Sequence, residues 1–224
     1  MSDGEKQYSE FKDRLGKSGT DRLGLMTSFM FEDDPKRLSF TFARYKFASK
    51  MLAGYDKVVE IGCGDGVATR VVRQATNSVV AIDFDPTFIE DAQGAMSEKW
   101  PIDFRVHDIL QEPVSGGPFD GAFSFDVMEH IPESDEDAYM ANIAASLGDH
   151  GVAIIGMPSL ESQPYASALS KEGHVNCKPQ EELRACLERH FHTVFTFGMN
   201  DEVLHTGYAR MAHYNIALAV SPKR

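Results

Sequence analysis

The sequence predicts a doubly wound α/β fold, with a mostly parallel seven-stranded sheet, an antiparallel last strand and helices on both faces. From Lys57 onward, short apolar runs alternate with amphipathic stretches of helical length, a pattern typical of a parallel sheet. The last two apolar runs are separated by about sixteen residues that contain Gly198 and Gly207 and no clear helix. Such a connection favours antiparallel pairing, because a parallel crossover ordinarily needs a helix.

The predicted elements follow one another in a regular order. Residues 1–24 are polar and of mixed charge, and are interpreted as a helix or a frayed arm. Asp34 and Pro35 then begin a helix that runs to Gly54. Residues 1–54 are therefore predicted to be an N-terminal helical extension covering the active site, and residues 55–224 a ligand-binding domain. The strands predicted for that domain are 58–61, 78–82, 102–106, 119–125, 151–157, 193–197 and 214–220, and its clearest helices are 67–75, 136–147 and 179–190.

The composition restricts the partners that the chain is expected to have. The 224 residues carry a formal net charge of −12, which argues against nucleic acid or an anionic membrane surface, since both reward clustered lysine and arginine. No apolar run approaches the roughly eighteen residues that a membrane span needs. The three cysteines show no paired spacing and no signal peptide is recognised, which predicts reduced thiols in the cytoplasm. The composition leaves the oligomeric state open.

The most informative segment reads VVEIGCGDG, from residue 58 to residue 66. An apolar strand carries one acid, Glu60, and leads into Gly62, Gly64 and Gly66. A glycine-rich turn between a strand and a helix lets the backbone approach a nucleoside-bearing ligand. Dinucleotide-binding loops usually space their glycines G-x-G-x-x-G. The spacing here, with an acid two residues before the first glycine, instead resembles motif I of the class I S-adenosylmethionine (SAM)-dependent methyltransferases.

Two further acids support this resemblance. Asp83 ends the second strand about twenty residues after the loop, where an acid meets ribose hydroxyls in doubly wound folds. Asp108 and Ile109 follow the third strand, where the family has an aspartate that accepts from the adenine amino group and an apolar residue that packs on the ring. The resemblance implies a Rossmann-like sheet, SAM as cofactor, and a SAM-binding methyltransferase domain over residues 55–224. The residues that it assigns to the cofactor are Glu60, Gly62, Cys63, Gly64, Gly66, Asp83, Phe84, Asp108, Ile109 and Phe125.

The segment FDVMEHIP, from residue 125 to residue 132, resembles one common in small-molecule O- and N-methyltransferases of this family. Its polar residues have three interpretations: they cap the next helix, one of them contacts SAM or acts as a general base, or they hold a metal. The metal interpretation groups Asp126, Glu129, His130 and His174, since carboxylate and imidazole ligands suit several divalent ions. Metal-binding members usually have glutamate at the first of these positions. We therefore expect no metal, and no effect of a chelator.

The histidines supply the candidate catalytic residues. His174 is the best of them, because it lies in a glycine-containing loop on the ligand side of the sheet and imidazole titrates near neutral pH. His205 is next, in a polar loop between the last two strands. His130 is the third, with helix capping as its alternative explanation.

These features predict a SAM-dependent methyltransferase that acts on a small-molecule acceptor, with transfer to oxygen favoured over nitrogen because bases are at hand. One alternative is a metal-dependent methyltransferase that uses Asp126, Glu129, His130 and His174. An NAD-dependent oxidoreductase on a similar sheet and a SAM-binding protein without catalysis are the others. Protein or nucleic-acid methylation is a further possibility within the class, although the N-P-P-Y tetrad of amino-modifying enzymes is absent, since FDVM stands there.

Overall fold

The computed structural model describes residues 8–224, so the first seven residues of the helix or arm predicted over residues 1–24 lie outside that range. The strands in the described range are β1 Lys57–Ile61, β2 Ser78–Asp83, β3 Asp103–Val106, β4 Phe119–Phe125, β5 Leu147–Pro158, β6 Phe191–Asn200, β7 Val203–His205 and β8 Tyr214–Pro222. The helices there are α1 Ser9–Ser18, α2 Leu25–Asp33, α3 Lys36–Met51, α4 Thr69–Arg73, α5 Pro86–Gly94, α6 Glu136–Ser146, α7 Ala168–Gly173 and α8 Gln180–His190. None of these helices is both long and apolar enough to cross a membrane.

The strands form one sheet in the order β3-β2-β1-β4-β5-β8-β6-β7. Strands β1 to β5 pair in parallel, and β8 enters between β5 and β6, antiparallel to both. The predicted Rossmann-like architecture with a reversed last strand is confirmed. The sequence did not predict β7, which pairs antiparallel with the end of β6 in the connection interpreted as irregular.

Helices cover both faces of the sheet, as predicted. One core cluster packs the sheet against α6 and α8, through buried residues such as Tyr139, Ile143 and Leu187. The other packs it against α3, α4 and α5, through residues such as Leu52 and Ile89. Both faces are therefore apolar, which explains the nearly continuous apolar runs of β1, β2 and β5.

The carboxyl ends of β1, β2, β4 and β5 meet at one edge of the sheet because these strands are parallel. The loops that leave this edge are 62–68, 84–85, 126–135 and 159–167. In open α/β sheets, ligands bind outside the carboxyl ends of the strands, where the strand order reverses. That reversal lies between β1 and β4, so the glycine loop and the segment after β4 stand side by side.

Candidate functional site

The glycine loop leaves β1 in a conformation that only glycine adopts readily. Gly62, Gly64 and Gly66 have φ values of +75°, +52° and +67°, in the left-handed region that L side chains rarely occupy. A Cβ at Gly62 would collide with Val127 in the segment after β4. The two loops are therefore in direct contact, and the absence of a side chain at Gly62 is what allows it.

Asp83 connects the glycine loop to the loop after β2. Its Oδ2 accepts from the Gly64 amide at 3.0 Å and its Oδ1 from the Asp85 amide at 3.0 Å. Asp85 in turn caps α5 by accepting from the Thr87 amide at 2.8 Å. Asp83 is thus held in a fixed orientation at the edge of the sheet where the parallel strands end. Its predicted contact with ribose stays a prediction.

The other residues assigned to the cofactor lie at or just after the ends of β2, β3 and β4. Phe84 exposes 76% of its surface, unusual for a large apolar side chain, at the same edge. Asp108 accepts from the Leu110 amide at 2.9 Å in a turn, and Ile109 is buried. Phe125 packs against Tyr45, with 5.4 Å between ring centroids, and belongs to the core. Contacts of these residues with the adenosine group remain predictions.

Glu60 and Cys63 are buried beneath the loop. The Tyr45 hydroxyl, on α3, donates to Glu60 Oε1 at 2.7 Å. Burial is the main cause that raises the pKa of Glu60 to about 7, against the nearby hydroxyl groups of Thr69 and Tyr45, which lower it. Burial also raises the pKa of the Cys63 thiol. Cys63 is therefore a neutral thiol near pH 7, and Glu60 titrates in the neutral range.

The shifted pKa of Glu60 predicts a specific pH dependence of stability. A carboxyl group with a raised folded-state pKa contributes stability below its unfolded value of 4.5, and that contribution is lost as the pH rises through about 7. We expect the unfolding free energy of the wild type, relative to Glu60→Gln, to fall by about 3 kcal/mol over this interval. Denaturant titrations at several pH values measure it, with the exposed Glu90→Gln as control. Parallel curves for the wild type and Glu60→Gln would contradict the shift.

The N-terminal extension packs on the glycine loop. The Thr27 amide donates to Asp65 Oδ2 at 2.6 Å, and the Thr27 hydroxyl to Asp65 Oδ1 at 3.1 Å. The sulfur of Met26 lies 2.6 Å from the position that a Cβ on Gly64 would take. Helix α2 therefore begins directly against the loop assigned to the cofactor. That the extension covers the active site stays a prediction, which these contacts support.

Arg44 on α3 belongs to the site, although the sequence analysis did not single it out. Its Nη1 donates to Asp126 Oδ2 at 2.5 Å, and its guanidinium lies 3.6 Å from the Tyr214 ring centroid. Asp126 has φ +58°, a strained value that clusters at functional sites. The sequence did not predict this role for Arg44, because its partner Asp126 lies 82 positions away along the chain.

Glu129, His130 and His174 come together at the same edge. One possible ligand atom from each lies within 4.8 Å of the others. His130 donates from Nδ1 to the Gly173 carbonyl at 2.8 Å, and His174 Nδ1 lies 2.9 Å from Gln163 Oε1. Bonds at Nδ1 of this kind fix a ring so that Nε2 serves as the ligand or base.

Glu129 is the unusual member of this cluster. It is 1% exposed, and neither carboxylate oxygen has a hydrogen-bond partner among the described residues. Burial and the nearby Asp126 raise the pKa of Glu129 well above its ordinary value. Burial and His130 lower the pKa of His174, so its imidazole is neutral at pH 7. A neutral imidazole accepts a proton or binds a metal, and an unpartnered buried carboxylate is a suitable anionic ligand.

Two predicted residues lie outside this cluster: His205, a candidate catalytic residue, and Asp126, a member of the predicted metal set. Both ring nitrogens of His205 are used within the β6–β7 hairpin, by Asn200 Oδ1 at 2.7 Å and the Gly207 amide at 3.1 Å. His205 is on β7, the outermost strand of the sheet, and β6 and β8 lie between β7 and β5. The structure does not bring His205 to the cluster, and Asp126 lies against Arg44 instead of joining it.

Residues 58–151 match a family model described as a methyltransferase domain. Among curated proteins, the chain is 26% identical over 145 residues to the ubiquinone biosynthesis O-methyltransferase of Xanthomonas campestris pv. campestris strain B100. It is 27% identical over 144 residues to the protein of the same name from Xanthomonas oryzae pv. oryzae strain PXO99A. Each match takes in 62% of this chain, which spans 55% of the length of these relatives.

Solved structures share the fold across nearly the whole chain. The N-methyltransferase NodS from Bradyrhizobium japonicum WM9, in complex with S-adenosylhomocysteine, superposes with a TM-score of 0.64 at 17% identity, covering 98% of this chain and all of its own. The magnesium protoporphyrin IX methyltransferase from Synechocystis PCC 6803, with the same ligand bound, gives 0.60 at 20% identity, covering 96% and 97%. Proteins named for transfer to nitrogen and to oxygen are thus both similar to this chain.

Proposed function

Because the chain belongs to the class I SAM-dependent methyltransferases, we propose that it transfers the methyl group of SAM to a hydroxyl oxygen of a small-molecule acceptor. Membership of this class rules out the oxidoreductase alternative considered from the sequence. The sulfonium of bound SAM supplies an already activated methyl group, so the protein must align the acceptor and remove its proton. Relatives named as O-methyltransferases support oxygen as the acceptor atom.

The observation that carries the proposal is the cluster of Glu129, His130 and His174. Glu129 and His130 lie on the segment after β4, whose Val127 touches the glycine loop at Gly62. A base at this position stands next to the predicted cofactor, where the acceptor must approach the methyl group. An amine needs only to lose its proton to solvent, whereas a weakly acidic hydroxyl requires a base or a cation in the site.

A metal-assisted version of this reaction is the second candidate, and the unpartnered Glu129 favours it. Glu129, His130 and His174 would hold a divalent cation, and the cation would lower the pKa of the acceptor hydroxyl by Lewis acidity. The charges agree with this assignment. The formal charges of Arg44, Asp126 and ionised Glu129 sum to −1, and a site with this net charge repels an oxyanion. A bound divalent cation would change the net charge to +1, and the site would then attract an oxyanion.

His174→Ala is expected to lower methyl transfer about 10²–10⁴-fold, as loss of a general base or of a metal ligand does. Tritiated SAM and a panel of phenols and amines measure it, with S-adenosylhomocysteine affinity expected to stay unchanged. The matched control is His213→Ala, because His213 is also half-buried and its side chain accepts a hydrogen bond from the Asp201 amide at 3.0 Å.

The same assay separates the two candidates and tests the acceptor atom. A chelator that abolishes transfer, with recovery on adding Mn²⁺, selects the metal-assisted reaction; indifference to chelator selects His174 as a base alone. Label that appears only in the amines would refute oxygen as the acceptor. A cytoplasmic location is proposed with this function, because Cys63, Cys177 and Cys186 are all free thiols.

A further inference from the structure

The loop that carries His174 is attached to the segment that carries Glu129. The Val175 and Asn176 amides both donate to the Glu129 carbonyl, at 2.8 and 3.0 Å. The distance from His174 to the Glu129 carboxylate is therefore set by how firmly this loop stays in place. The loop itself has no regular secondary structure to hold it, apart from a single bridge between Lys178 and Ser159.

Glu136, the first residue of α6, holds this loop from the other side. Its Oε2 accepts from Lys178 Nζ at 2.7 Å and from Asn176 Nδ2 at 3.2 Å. Its Oε1 accepts from Arg189 on α8 at 2.7 Å. Glu136, Asn176 and Lys178 are all buried. Burial alone would raise the pKa of Glu136, but these hydrogen bonds and one involving Cys186 lower this pKa to about 2. The carboxylate is therefore ionised at all working pH values.

Lys178 joins the loop to the sheet as well. Its carbonyl accepts from the Leu160 amide and from Asn215 Nδ2 on β8, both at 3.2 Å. The loop is consequently fixed at Asn176 and Lys178, two and four positions after His174. Buried and paired contacts of this kind orient a neighbouring ligand residue more firmly than exposed ones do.

We infer that Glu136 is a positioning residue that acts through Asn176 and Lys178 to hold His174 opposite Glu129 and His130. The inference rests on the proposed role of this cluster and names the part of the fold that sets its geometry. Within residues 8–224, the hydrogen bonds and ion pairs of the Glu136 side chain go to Asn176, Lys178, Arg189 and Cys186 and not to the three cluster side chains, so Glu136 is not itself a ligand or base. Its two carboxylate oxygens bind different parts of the fold. Oε2 bonds the loop, and Oε1 joins α6 to α8 through Arg189.

Because the two carboxylate oxygens of Glu136 have different partners, each set of hydrogen bonds can be removed by its own variant. Asn176→Leu removes the hydrogen bond from the loop to Oε2 and leaves Lys178 to neutralise Glu136. Arg189→Gln removes the bond to Oε1 and leaves the loop bonded. For Asn176→Leu we expect Mn²⁺ to bind about 10–100-fold more weakly, as when an outer-shell partner of a ligand is lost. We also expect faster hydrogen exchange at the Val175 and Asn176 amides, with S-adenosylhomocysteine affinity unchanged.

Calorimetric titration with Mn²⁺ and amide exchange by mass spectrometry make the comparison on the full chain. For Arg189→Gln both quantities should stay near their wild-type values, even if its melting temperature falls. Wild-type Mn²⁺ affinity and amide protection in Asn176→Leu would overturn the inference, as would equal damage in both variants. A wild type that binds no Mn²⁺ refutes the metal-assisted reaction, and the amide exchange then decides the inference by itself.

Discussion

Replacing Gly64 with valine is expected to abolish binding of SAM and S-adenosylhomocysteine. Gly64 has φ +52°, and a Cβ there would lie 2.6 Å from the Met26 sulfur. A β-branched side chain would force the backbone away from this conformation and would occupy the space where the loop faces its ligand. The amide of Gly64 would also lose its bond to Asp83. Calorimetry with S-adenosylhomocysteine measures the loss.

Gly54→Val is the control that separates strain from binding. Gly54 has φ +83°, but a Cβ there meets nothing within 4 Å, and it lies at the opposite edge of the sheet before β1. It should lose about 1–2 kcal/mol of stability through backbone strain and bind the ligand normally. A folded Gly64→Val protein that binds with wild-type affinity would remove the glycine loop from the cofactor site.

The fold could be predicted well from the sequence because its signals are local. The glycine loop and the apolar runs of β1, β2 and β4 each depend on a few neighbouring residues. The three-residue β7 could not be predicted, since Val203–His205 is too short for an alternating pattern and depends on pairing with β6. Local sequence patterns were therefore enough to predict which segments form helices and strands, but not the pairing of a short strand at the edge of the sheet.

The site could be predicted only in part, because its contacts join distant positions. Glu129, His130 and His174 were grouped by resemblance, and the structure places them together. The role of Asp126 could not be read correctly, because its bond to Arg44 depends on how α3 lies against β4. The role of Glu136 could not be predicted either, because its partners are also distant along the chain. An acid in the first turn of a helix is ordinarily explained by the helix dipole alone.

The unpartnered carboxylate of Glu129 makes its substitution the most informative test of a cation. Glu129→Gln keeps the shape of the side chain and removes its charge. Because the folded-state pKa of Glu129 is raised, its contribution to stability is present below its unfolded pKa and is lost as the pH rises. Without metal, we therefore expect Glu129→Gln to be more stable than the wild type at neutral pH, by a margin that grows with pH.

Added Mn²⁺ should reverse this order if Glu129, His130 and His174 bind a cation. At a concentration about 100 times its dissociation constant, a cation that binds only the folded state adds about 2.7 kcal/mol, which raises the melting temperature of a chain of this size by about 5–11 °C. The wild type should show that rise, and Glu129→Gln should not, because the cation would lose its anionic ligand. Glu133→Gln, an exposed substitution in the same connection, should respond like the wild type. Equal melting temperatures for the wild type with and without Mn²⁺, together with a more stable Glu129→Gln, would instead identify Glu129 as a buried neutral acid and leave His174 to act as a base alone.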